Sequence, residues 1–235
     1  MMERQNKIKS SPKKYQPRGL SILYEDLDIL VVDKMSGLLT VSNETVKENT
    51  AYHLLNKFVK KGNQKSRKRI FIVHRLDRDT SGILVFAKSE NAKRYLQEEW
   101  HEFKKTYYAV VDGALQEKQG VISTYLTENS AYKMYSVDNS VKGKLAKTGY
   151  KVVKESKKYS LLEIDLLTGR KNQIRVQLSE KGYPIVGDKK YGKKEKGIKR
   201  LALHAASITI LHPHTKEKMT FKAKFPTYFK LLLNS

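Results

Sequence analysis

From Ile22 onward short apolar runs alternate with polar breaks, and the period of those runs predicts the elements. The stretch "ILYEDLDILVVDK" (22–34) reads as a strand, an acidic turn and a second strand, closed by a break at Ser36-Gly37. In "NTAYHLLNKFVKKG" (49–62), Ala51, Leu54, Leu55, Phe58 and Val59 fall on one helical face, with Asn49 placed to cap the first turn and Gly62 to end the helix. A second helix is expected in "SENAKRYLQEEWHEF" (89–103), with Ser89 as cap and Ala92, Leu96, Trp100 and Phe103 at helical spacing; Trp100 reads as a core anchor.

Beyond it strands dominate: "TYYAVVDG", "GYKVV", "YSLLEIDLL", "LALHAASITIL" and "KMTFKAKF". In the last, Phe221, Ala223 and Phe225 alternate with Thr220, Lys222 and Lys224, the pattern of a half-buried antiparallel strand. The short segments "KESKK" and "PHTKEK" read as hairpin turns. "NQIRVQLSEKG" (172–182) is ambiguous: Ile174, Val176 and Leu178 alternate like a strand, whereas Gly182 after charged residues reads as a helix end. The expected architecture is α+β, a mainly antiparallel mixed sheet with flanking helices and loops over 21–235, after a basic, disordered arm at 1–20.

Composition changes the picture by its charge. Forty-seven Lys and Arg against 24 Asp and Glu leave the 235-residue chain at +23, spread along its length, so a polyanion and above all nucleic acid is the expected partner. Two basic loops, 60–69 and 189–200, read as phosphate-contacting arms. The absence of cysteine excludes disulfides, thiolate metal sites and a cysteine nucleophile, and suits a reducing cytoplasm. The N-terminus lacks the apolar core of a secretory signal, and no run is long enough to span a bilayer. A monomer suffices.

Against that charge, "IFIVHRLDRDTSGILVFAKS" (70–89) places Asp77 and Asp79 between arginines, in a turn flanked by two buried strands. A metal pair is disfavoured because Arg75 and Arg78 would repel a cation and no third carboxylate lies nearby. A glycosidase pair needs carboxylates across a substrate, and Asp79-Thr-Ser-Gly reads as local turn chemistry in which Asp accepts backbone hydrogen bonds. One nucleophile beside one structural residue is the third competing role. His74, after a buried strand, reads as structural; His212-Pro-His214 has metal-like spacing but reads as a turn; Tyr107 and Tyr108, neighbours on a strand, face opposite ways.

The same stretch resembles the signature of the RluA-type pseudouridine synthases. The resemblance extends to "ILYEDLDILVVDKMSGLLT" (22–40), "KKTYYAVVDG" (104–113), "SLLEIDLLTGRKNQIRVQLSEKGYPIVGDKKYG" (160–192) and "RLALHAASITILHP" (200–213), in family order. It implies the pseudouridine synthase catalytic fold, a helix at "NQIRVQLSEKG", and isomerisation of uridines in rRNA or tRNA without cofactor or metal. By the same resemblance Asp77 is the nucleophile, Arg175 the arginine that pairs with it, Tyr107 the ring against the uracil, and Arg75 the side chain that enters the RNA stack as the base swings out. Departures from the family pattern are Met35 for a usual proline, Lys171-Asn172 for Thr-His, and Gln177 for His. Two rival readings are a catalytically silent RNA-binding or ribosome-assembly factor and a retaining glycosidase.

Overall fold

The computed structural model describes residues 16–63, 65–193, 197–198 and 200–234. Most of the expected N-terminal arm, and residues 64, 194–196 and 199 of the two basic loops, lie outside the described residues. In chain order the elements are β1 (Leu20–Glu25), β2 (Ile29–Lys34), α1 (Ala51–Lys60), β3 (Phe71–Ile72), β4 (Ser81–Ala87), α2 (Glu90–Glu98), β5 (Lys104–Asp112), β6 (Gln119–Glu128), β7 (Met134–Val137), β8 (Lys144–Glu155), β9 (Tyr159–Leu166), α3 (Gln173–Glu180), β10 (Leu203–Leu211), β11 (Lys218–Lys222) and α4 (Thr227–Leu233). They fall into two compact units: residues up to Trp100 with Leu211–Phe221, and His101–Ile210 with the segment from Lys222. Among the described residues no helix is long and apolar enough to cross a membrane.

In the first unit β1, β2 and β4 pair antiparallel in that order, and β3 pairs with the far end of β4, Phe71 opposite Ala87. Strand β4 is buried at every position, as its uninterrupted apolar run requires. Helix α1 buries Ala51, Leu55 and Val59, and each fully buried side chain of Leu size contributes about 1.5–3 kcal/mol. Its N-cap is Thr50, not Asn49: Thr50 is the extended residue, and its hydroxyl accepts the His53 amide at 3.2 Å. Ser89 caps α2 as expected, accepting from Ala92 N at 3.1 Å. Trp100 departs from its expected place in the core. It is half-buried and stacks on His74, ring centroids 4.3 Å apart, because α2 ends at Glu98 and a single 3-10 turn carries the indole off the apolar face.

The second unit is an antiparallel sheet in the order β10, β5, β9, β8, β6, β7. Its core gathers Val110, Leu162, Ile164, Leu178 and Phe229 from β5, β9, α3 and α4. Strands β6 and β7 escape the sequence pattern, since β6 carries exposed Val121 and alternates irregularly. The ambiguous segment is helical: Ile174, Arg175, Val176, Gln177 and Leu178 are all buried, so neither period of two nor of 3.6 stands out in a helix enclosed on every side.

Candidate active site

The residues singled out in the sequence lie on both units, Arg75 and Asp77 on the first, Tyr107 and Arg175 on the second. The loop from Val73 to Thr80 joins β3 to β4, and its backbone is tied to the segment that follows β2. Ser36 Oγ donates to Asp79 O at 2.7 Å, and Gly37 N donates to Arg78 O at 2.9 Å from a left-handed φ of 90° that favours glycine. Thr40 Oγ1 donates to Leu76 O at 2.8 Å and accepts Leu76 N at 3.2 Å, so one buried hydroxyl clamps both backbone groups of the residue before Asp77.

Lys34 completes the clamp. Fully buried, it directs Nζ at the carbonyls of Met35, Leu38 and Arg78 at 3.0, 2.8 and 3.0 Å. Burial lowers its pKa to about 8, against the opposing pull of Asp79, Asp77 and Asp33. Sequence reading missed this residue, although a lysine closing the apolar run "ILVV" was the available signal. Asp77 itself is half-buried, with Thr80 N donating to its carbonyl at 3.2 Å, and Arg75 is exposed. His74 accepts the Val85 amide on Nε2 at 3.0 Å, the structural role expected of it. Asp79 Oδ1 takes Arg78 Nε at 3.3 Å, a side-chain partner where the sequence suggested backbone amides.

On the second unit, half-buried Tyr107 sits on β5 between Ile164 of β9 and Ala205 of β10. Its neighbour Tyr108 meets Glu163 through its hydroxyl, at 3.3 Å, and Phe225 edge-on. Arg175, on α3, makes a bidentate pair with Asp188: Nε to Oδ2 at 2.7 Å and Nη2 to Oδ1 at 2.8 Å. Burial alone would push the Asp188 carboxyl up; the Arg175 pair and the Lys190 and Tyr191 amides outweigh it and hold the pKa below the ordinary 3.8. Asp188 follows Gly187, where an added Cβ would stand 2.1 Å from Arg200 O, so only glycine lets the chain pass. The Gly-Asp pair was visible in the sequence; its bond to Arg175 was not.

Two of the departures from the family pattern are absorbed by the second unit. Buried Gln177 accepts from Thr148 Oγ1 at 2.6 Å and donates to Thr124 Oγ1 and Ala146 O at 2.9 and 3.0 Å, tying α3 to β6 and β8. Asn172 takes a φ of 53°, a conformation asparagine tolerates, and accepts from Tyr191 Oη at 3.2 Å. One group among the described residues has metal-like composition, Asp26, Asp28 and His212. Hydrogen bonds already occupy it: Asp26 accepts from the Asp28 and Ile29 amides, Tyr24 Oη and His212 Nε2, while His212 Nδ1 accepts from His214 and Thr215 N. That confirms the turn read at His212-Pro-His214.

Comparison with known proteins gives the same direction. A family model described as RNA pseudouridylate synthase matches residues 28–180. An uncharacterized RNA pseudouridine synthase, YhcT of Bacillus subtilis, is 36% identical over 91% of this chain and 71% of its own. A ribosomal large subunit pseudouridine synthase C of Buchnera aphidicola is 36% identical over 91% of this chain and 70% of its own. Among solved structures, human RNA pseudouridylate synthase domain containing 1 is similar with a TM-score of 0.71 and 26% identity, covering 92% of this chain and 86% of that one. Human RNA pseudouridylate synthase domain containing 4 shares the fold with a TM-score of 0.75 at 24% identity, covering 91% of each chain.

Proposed function

We propose, on the premise that this chain belongs to the RNA pseudouridylate synthase family and is an RNA-modifying isomerase, that Asp77 is the nucleophile converting uridines of structured rRNA or tRNA to pseudouridine. The reaction breaks the N1–C1′ bond, turns the uracil and joins C5 to C1′; C5 gives up its proton and N1 takes one. A carboxylate that adds to the sugar or the base and later departs serves both halves, and no cofactor is needed. The observation that carries the reading is the clamp on the Val73–Thr80 loop. Five hydrogen bonds between Lys34, Ser36, Gly37 or Thr40 and the backbone of Leu76, Arg78 or Asp79 hold the chain on either side of Asp77, four of them through the side chains of Lys34, Ser36 and Thr40. A nucleophile that must meet one carbon needs that fixity.

The other roles follow the resemblance. Arg175 supplies the guanidinium that keeps the nucleophile ionised, Tyr107 packs on the uracil, and exposed Arg75 enters the stack vacated by the flipped base, offsetting part of an unstacking cost of a few kcal/mol. The proposed catalytic domain is 21–235, acting as a cytoplasmic monomer. The test is tritium release from bulk RNA carrying 5-labelled uridine. Release by the parent and none by Asp77→Asn, with RNA binding retained, is expected; release by Asp77→Asn removes Asp77 from its role, and none by the parent favours a silent RNA-binding factor.

A further inference from the structure

Tyr132, at the tip of the β6–β7 hairpin, has a φ of 55°. Glycine takes that left-handed state freely; a bulky aromatic does not, and such strain is kept where the surrounding structure over-determines it. The loop does over-determine it. Asn129 Oδ1 accepts from Ala131 N and Lys133 N at 3.0 and 2.9 Å, Tyr132 N donates to Asn129 O at 2.9 Å, and Lys190 Nζ donates to Tyr132 O at 2.6 Å. The residue so held is 72% exposed, so it serves no core.

One cation lies over this ring and three over the neighbouring ring of Tyr191. Lys171, which pairs with Glu128, places Nζ 5.6 Å from the Tyr132 ring centroid. Lys133 and Lys190 each lie 5.7 Å from the ring of Tyr191, and Arg175 lies 5.2 Å from that same ring. The hydroxyl of Tyr191 accepts Met134 N at 3.1 Å and donates to Asn172. The exposed Tyr132 and the exposed Lys133, Lys171 and Lys190 thus stand on the second unit beside Tyr191, whose ring also meets the buried Arg175.

We infer that Tyr132 is a stacking platform for one unpaired base of the RNA, with Lys133, Lys171 and Lys190 taking the phosphates beside it. The inference rests on the RNA-uridine reading of the Arg175 site and adds a substrate-holding residue to it. Stacking uses the π-face common to all bases, so the platform positions RNA without selecting sequence.

The test measures binding of a fluorescein-labelled single-stranded oligouridylate by anisotropy across a salt series, beside a ribose-phosphate chain of equal length without bases. Tyr132→Gly relieves the backbone and deletes the ring, so it melts no lower than the parent while losing roughly five- to 150-fold in oligouridylate affinity. Its salt slope stays parental, because no phosphate contact is lost, and the abasic chain binds as before. Lys171→Ala lowers the salt slope by about 0.7, and Tyr132→Phe binds like the parent. Parental oligouridylate affinity in Tyr132→Gly, or an equal loss on the abasic chain, overturns the platform. Tritium release by the same preparations is read separately: a parent that releases none defeats the isomerase reading but leaves this binding comparison standing.

Discussion

In the first unit the buried Lys34 ammonium is wrapped by three backbone carbonyls, whereas in the second the Arg175 guanidinium is clasped by both oxygens of Asp188. The two cations do different work. An ammonium is a compact charge with three donors, suited to gathering carbonyls from separate turns, and burial makes it titratable near neutrality. A guanidinium keeps its charge and presents a rigid fork, so Asp188 fixes its plane as well as its position. The loop bearing Asp77 is therefore held by its backbone, and the helix bearing Arg175 by its side chains.

Breaking the second arrangement has the largest expected effect. Arg175→Met leaves Asp188 buried beside no cation, and stability measured by urea unfolding should fall by about 3–5 kcal/mol. Arg175→Lys should recover little of it, since one amine cannot replace the bidentate contact. A lysine variant as stable as the parent would show that charge alone, without the fork, secures α3.

A pH effect in the same unit comes next. Buried His204 has its pKa lowered to about 4, by burial first and then by Arg200. The unfolded chain protonates this histidine near 6.5, so between pH 6.5 and 4 the unfolded state binds the extra proton and stability falls as pH falls. The loss should reach on the order of 3 kcal/mol at pH 4, and His204→Gln should flatten that part of the melting-temperature profile.

Lys34 sharpens the contrast from the other side. Lys34→Met strips the buried Leu38 carbonyl of its donor, at about 1–3 kcal/mol, while water can reach the part-buried Met35 and Arg78 contacts. In the parent, Lys34 loses its proton near pH 8 when folded and near 10.5 when unfolded, so its contribution to stability rises with pH across that window. The neutral amine has two hydrogens for three carbonyls, and turnover should fall over the same range. Turnover that stays level from pH 8 to 10 in a folded parent would mean that the third bond does not matter to the loop. The smallest effect is at α1: Thr50→Ala removes the N-cap and should cost about 1 kcal/mol in thermal unfolding, with Asn49→Ala near neutral.

The strands of the first unit were legible because each lies in a sheet with a simple apolar run, as in "ILVV" and "ILVF". The motif that carries Asp77 was legible as a turn between two buried strands, and the structural parts of His74 and His212 through their neighbours in sequence. Trp100 was misplaced because helical spacing says nothing of where a helix stops. Thr50 displaced Asn49 because two adjacent residues could each cap, and only backbone geometry selects between them. Lys34, Thr40 and Asp188 were out of reach: their partners at Arg78, Leu76 and Arg175 lie 44, 36 and 13 residues away.

Local order was enough to specify the alternating strands, the two amphipathic helices, the surplus of positive charge and the motif carrying Asp77, since each is written in residues that stand side by side. Tertiary structure alone decided which buried cation meets which acceptor, that α3 is buried at every position from Gln173 to Leu178, and that the Tyr132 ring is held outward. Those outcomes depend on pairing and desolvation between distant segments, quantities that take a value only when the chain has folded.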